Sequence, residues 1–115
     1  MAETSKQQNT TTILTELTDV MMSRRHASPD SSYVAQLLHA GEDKILKKII
    51  EEAGEVLMAA KDGDQTHLVK EIADLWFHTM VLLTSHELRV DDVLNELQRR
   101  QHVSGLTEKA SRQSR

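Results

Sequence analysis

Between Leu75 and Leu83 only His78 and Thr79 interrupt an apolar run, and no other stretch constrains the fold as much. A helix that is apolar nearly all round must be surrounded by other elements. A strand is the poorer alternative, because β-formers and chain breakers are scarce: aromatic residues make up 3% of the chain, beside 4 glycines and 1 proline. The 115 residues suit a single domain, and four or five short helices have difficulty enclosing such a segment unaided. The expectation is an all-α, antiparallel bundle of four to five helices, completed by homodimerisation.

The helices can be placed by their punctuation. Residues 1–11 are polar and aperiodic and are expected to form a disordered tail. From Thr12, the apolar positions Ile13, Leu14, Leu17, Val20 and Met21 form one helical stripe that ends near Arg24, before the break at Pro29. Ser31 or Ser32 caps a short helix that stops at Gly41, and a third runs from about Glu42 to Asp62 with Gly63 ending it. On that third helix Ile45, Leu46, Ile49, Ile50, Ala53, Val56, Leu57 and Ala60 share a broad apolar face, with Glu52 at its border. A fourth helix covers about Thr66 to Ser85. Asp91 or Asp92 caps a fifth, with Val93, Leu94 and Leu97 inward, so the folded domain spans 12–101 and a polar tail 102–115 follows.

Composition removes several classes of function. With no cysteine, thiolate nucleophiles, iron-sulfur clusters and zinc fingers are excluded. A net charge of −4 argues against a nucleic-acid binder. No apolar run reaches the roughly 18 to 20 residues of a membrane span, and the N-terminus lacks a signal-peptide pattern. A cytoplasmic protein without nucleic-acid or membrane partners is expected.

The chemistry is carried by carboxylates. Glu52 and Glu55 stand three apart on the third helix, Glu71 and Asp74 three apart on the fourth, and fifteen residues between the pairs suffice for a turn and an antiparallel return. Four like charges brought together repel unless a cation lies between them. Oxygen-only donors select hard ions, Mg2+ or Mn2+ before calcium. Magnesium on carboxylates bridges to phosphates and orients water, which points to phosphoanhydride hydrolysis. Lys48, on the same stripe, can hold a phosphate oxygen, and Glu51 can serve as an extra ligand or as the base that activates water.

Plainer readings exist for each residue. A single ExxE on a solvated helix is ordinary, with ion pairs such as Lys48 to Glu52. Two such pairs on successive helices are less so, and Asp74 adjoins the run that must be buried. His78 reads better as a satisfied core histidine than as a catalytic group, although its stripe keeps it among the substrate contacts to consider. Met58, Trp76 and Met80 read as core. Lys44, Lys47 and Lys48 form either a solvated ridge or a phosphate site, and Tyr33 either fills a gap or offers its hydroxyl to a ligand.

Glu52-Ala53-Gly54-Glu55 followed by Glu71-Ile72-Ala73-Asp74 resembles the ExxE…ExxD signature of the all-α nucleoside triphosphate pyrophosphohydrolases, the MazG-like superfamily. Within it, Ser32-Tyr33-Val34-Ala35, Lys44 to Lys48, Glu51 to Glu55, Ala59 to Asp64, Glu71 to Leu75, His78 and Asp92 to Leu97 are similar to the phosphoribosyl-ATP pyrophosphohydrolase family of histidine biosynthesis, over about Leu14 to Arg100. The resemblance implies a helical homodimer and Mg-dependent hydrolysis between the α and β phosphates of phosphoribosyl-ATP, releasing pyrophosphate and phosphoribosyl-AMP. By position it gives Glu52, Glu55, Glu71 and Asp74 the metal-ligand roles, Glu51 an accessory acidic role and Lys48 the phosphate contact. The catalytic set under test is thus Glu51, Glu52 and Glu55, and the substrate-binding set Lys48, Lys44, Tyr33 and His78. Ile50 and Phe77 depart from the family pattern, where a glycine and a tyrosine are usual. The alternatives are a house-cleaning nucleoside triphosphate pyrophosphatase with the same cage, and a helical dimer that only binds a partner. A di-iron bundle fits less well, since neither acidic pair ends in histidine.

Overall fold

The computed structural model describes residues 2–103, 109 and 112, with side chains from Ile13 onward. Five α-helices account for nearly all of it: α1 (Ala2–Ser23), α2 (Tyr33–Ala40), α3 (Glu42–Asp62), α4 (Gln65–Ser85) and α5 (Val90–Arg100), with a 3-10 turn at Pro29–Ser31 and no strand among the described residues. The all-α expectation is met. Among the described residues no helix is long and apolar enough to cross a membrane.

The boundaries follow from local chemistry. Ser32 caps α2 by accepting a hydrogen bond from the Ala35 N–H at 3.0 Å. Gly63 ends α3 in the left-handed region at φ 78°, and Asp64 immediately caps α4 by accepting from the His67 N–H at 3.0 Å. That two-residue link turns the chain back on itself, so α3 and α4 form an antiparallel hairpin with the most extensive contact in the molecule. At the far end of α4, the Leu88 N–H bonds to the Leu83 carbonyl at 2.8 Å and the Glu87 N–H to that of Thr84 at 3.0 Å. This closure needs a left-handed residue, and Glu87 occupies it at φ 60° where glycine is usual.

Two boundaries differ from expectation. The first helix begins at Ala2, not Thr12. No glycine or proline occurs before Pro29 to stop it, and polarity alone does not prevent a helix where Glu, Lys and Gln are good formers. The fifth helix is capped by Arg89, not by Asp91 or Asp92. Asp92 instead lies one turn inside and accepts the Arg89 N–H at 2.9 Å, the reaching-back half of a capping box. Most of the C-terminal tail lies outside the described residues.

The core is built from Met21, Val34, Leu37, Ile45, Met80, Val81 and Val90, with Leu14, Leu38, Ile49, Phe77 and Leu82 packed around it. Each of the five helices supplies at least one of the buried seven. The start of α5 is tied down where the Val90 N–H donates to the buried Thr18 hydroxyl at 3.4 Å and Arg89 pairs with Asp19 at 2.7 Å.

The broad apolar face expected on α3 divides into two stripes. Ile45, Ile49, Glu52, Val56 and Ala59, spaced by three and four residues, turn toward the rest of the chain and are buried or half-buried. Leu46, Ile50, Ala53, Leu57 and Ala60 form a parallel stripe that remains exposed, with Ile50 74% and Leu57 59% accessible. Met58 and Trp76, expected in the core, are also exposed, Trp76 at 58%, as are Val93 and Leu97 on α5. A helix has room for two faces, and the described residues cover only one face of α3.

Candidate metal centre

Glu52 is not at the border of the apolar face. It sits in the inward stripe of α3 between Ile49 and Val56, where its side chain is 14% exposed. Opposite it, Glu71 and Asp74 project from one face of α4. One oxygen from each of the three carboxylates lies within 4.8 Å of the others. Glu55 is not part of this trio; it stands exposed one turn further along α3.

Electrostatics mark the trio as incomplete by itself. Burial, and then the neighbouring Asp74 carboxylate, push the Glu52 carboxyl above the ordinary glutamate value, with His78 and Lys48 acting in the opposite direction. Among the described residues Lys48 brings an ammonium beside the trio, 3.5 Å from Glu51 and 4.0 Å from Glu52. Its ammonium is held above its usual range first by Tyr33 and then by Glu51 and Glu52. One partly exposed lysine set against three converging carboxylates leaves room for a further positive charge. All the donors are hard carboxylate oxygens, so a small divalent cation such as Mg2+ or Mn2+ fits them.

The surrounding side chains divide by contact. His78 is buried, donating from Nδ1 to the Asp74 carbonyl at 2.7 Å and accepting at Nε2 from the Tyr33 hydroxyl at 2.9 Å. The core-histidine reading therefore describes it well, and it braces the turn of α4 that carries Asp74. Tyr33 fills a gap, its ring stacking on Phe77 with centroids 6.2 Å apart, and its hydroxyl is engaged by His78. Phe77 fills the ring position without a hydroxyl of its own. Lys44 lies on the exposed face of α3, one turn before Lys48. His67 was not singled out from the sequence, yet its Nε2 lies 3.0 Å from Oε1 of Glu71. The four-residue spacing of His67 and Glu71 is the signal that marks the pair.

A family model described as phosphoribosyl-ATP pyrophosphohydrolase matches residues 3–101. The chain belongs to that family. Phosphoribosyl-ATP pyrophosphohydrolase relatives align across most of its length: a protein named phosphoribosyl-ATP pyrophosphatase from Neisseria gonorrhoeae is 65% identical over 87% of this chain and 94% of its own. Proteins of the same name from Chromobacterium violaceum and Nitrosospira multiformis are 63% and 58% identical, covering 87% and 89% of this chain and 93% and 84% of their own. The family match takes in every carboxylate of the site and the first helix almost from its start.

Proposed function

We propose that this chain hydrolyses phosphoribosyl-ATP at the anhydride between the α and β phosphates, with a bound Mg2+, yielding phosphoribosyl-AMP and pyrophosphate in histidine biosynthesis. The observation that carries the reading is the convergence of Glu52, Glu71 and Asp74 across the α3–α4 hairpin of a member of this family. When bound there, Mg2+ supplies Lewis-acid polarisation of phosphate oxygens and a template for water.

The remaining roles belong to the chain. Lys48, beside the trio and partly exposed, presents an ammonium to a phosphate oxygen. Glu51 is in contact with Lys48 and 47% exposed, so it reaches a water on the open side of the site. Glu55, exposed one turn further along α3, joins the set in this reading once a cation and a phosphate chain are present. Lys44 offers a second ammonium further along the same helix. Tyr33 and His78 act from behind, fixing the turn around Asp74. A reaction that consumes an ATP derivative belongs with the nucleotide pool, and we place it in the cytoplasm.

The working unit is a homodimer in this reading. The open stripe of α3, the exposed Val69 and Trp76 of α4, and Ile13, Leu17 and Val20 of α1 present more apolar surface than an isolated small domain normally leaves to water. A second copy of the same chain offers matching stripes.

Asp74→Asn tests the site directly, since it keeps size and removes the charge. Pyrophosphate release should fall by roughly two to four orders of magnitude, as expected for loss of transition-state charge stabilisation worth several kcal/mol, while the helical content stays unchanged. Activity near the parent level would remove Asp74 from the site.

A further inference from the structure

His67 has no part in the reading above, and its geometry gives it one. It occupies the first turn of α4, where its backbone N–H is held by the Asp64 carboxylate at 3.0 Å. Its side chain then reaches one turn along the helix, placing Nε2 3.0 Å from Oε1 of Glu71. The chain of contacts thus runs from the cap after Gly63, through the imidazole, to a carboxylate of the trio. Glu71 is 15% exposed and His67 44%, so the histidine stands on the outer side of the carboxylate it touches.

A glutamate on a helix has three side-chain torsions and samples several rotamers unless something restrains it. A donor on one carboxylate oxygen restricts that sampling and leaves acceptor capacity on the same group for a cation. Carboxylates that ligate metals commonly carry such outer hydrogen bonds. Beside Glu52, the inward stripe of α3 provides this restraint through packing, and beside Asp74 the buried His78 fixes the backbone. Glu71 sits nearest the turn of the hairpin, in the part of α4 that follows its cap, and is restrained by His67.

We propose that His67 is a positioning residue for the divalent-cation site: its Nε2–H donates to Glu71 and holds that carboxylate toward Glu52 and Asp74. The proposal rests on the assignment of the trio to a cation. It assigns His67 no contact with substrate.

The test is Mn2+ uptake by the purified chain at about pH 8, with pH held fixed because metal affinity depends on it, read as free Mn2+ by electron paramagnetic resonance. His67→Ala should weaken Mn2+ binding roughly 10-fold, the lower end of the effect of losing an outer-sphere partner, because His67 is half exposed. His67→Leu, which keeps bulk without a donor, should match it. His67→Gln, which keeps an N–H within reach, should recover most of the affinity. Metal-free circular dichroism should be the same for all four proteins. Equal or tighter Mn2+ binding by His67→Ala would overturn the proposal, showing a bystander or a competitor for Glu71. Equal weakening in His67→Gln would also overturn it, because the donor would then not be the cause. Absence of Mn2+ uptake by the unmodified protein would overturn the cation reading as well, so the two failures are distinguishable.

Discussion

Glu52 shows how one residue joins stability to chemistry. It takes a place in the inward stripe of α3 that an apolar side chain would fill without cost, and its carboxyl is pushed upward by burial and by Asp74. A carboxyl raised in the folded state contributes stability that is present below its ordinary value and lost as pH rises through the folded value. At neutral pH the metal-free protein therefore carries a destabilising charge. Glu52→Gln should melt higher than the parent at about pH 7.5 without metal, with the difference shrinking as pH falls toward about 4.5. It should also lose the stabilisation that Mg2+ gives the parent by linkage. Thermal melts across that range check both, and a lower melting temperature for the variant at neutral pH would contradict the assignment. Tyr33 makes a second case. Its hydroxyl is the partner of Nε2 in the buried His78, so Tyr33→Phe should cost about 1–2 kcal/mol in urea denaturation, the usual penalty of an orphaned buried polar atom.

Among the elements, the α3–α4 hairpin contains two glycines that differ in backbone state, Gly54 within α3 and Gly63 just after it. A Cβ on either Gly54 or Gly63 would meet no atom within 4 Å, but only Gly63 has positive φ. Gly63→Ala should therefore destabilise by about 1 kcal/mol through backbone strain alone. Gly54→Ala, in the middle of a helix, should stabilise by about 0.5–1 kcal/mol. Denaturant melts showing the same sign for both would contradict this account of the turn. These elements are also where the sequence is most readable. Gly41, Gly63, Asp64 and Ser32 announce their boundaries through side-chain chemistry that acts locally, and the two acidic pairs reveal themselves by spacing. What spacing does not reveal is phase. The apolar residues of α3 span a face wide enough for two partners, and the sequence does not say which stripe meets α4. Glu52 therefore reads as a border residue although it points inward. Trp76 and Met58 read as core for a related reason: hydrophobicity favours burial but does not say which face of a helix meets a neighbour, and both stand exposed in this chain. Glu55 falls outside the trio although its spacing matches that of Glu52, because spacing sets a helix face and not a distance to the neighbouring helix.

For the whole molecule, the uncovered stripes are the ground of the proposed homodimer. The exposed apolar side chains occur on α1, α3, α4 and α5, and Trp76 borders clefts lined by α1 residues on one side and α5 residues on the other. Sedimentation at micromolar concentration should give twice the 13.0 kDa chain mass. Trp76→Glu should shift the protein toward monomer and lower its melting temperature, since the proposed interface would then bury a charge. A parent protein that sediments as a monomer would contradict the dimer. The central claim is the reaction, and it is tested most directly by pyrophosphate release from phosphoribosyl-ATP, set beside ATP and a panel of deoxynucleoside triphosphates, with Mg2+ and with a chelator. The account predicts fast turnover of phosphoribosyl-ATP alone, abolished by the chelator. Turnover of the panel in preference to phosphoribosyl-ATP, or release indifferent to metal, would contradict it.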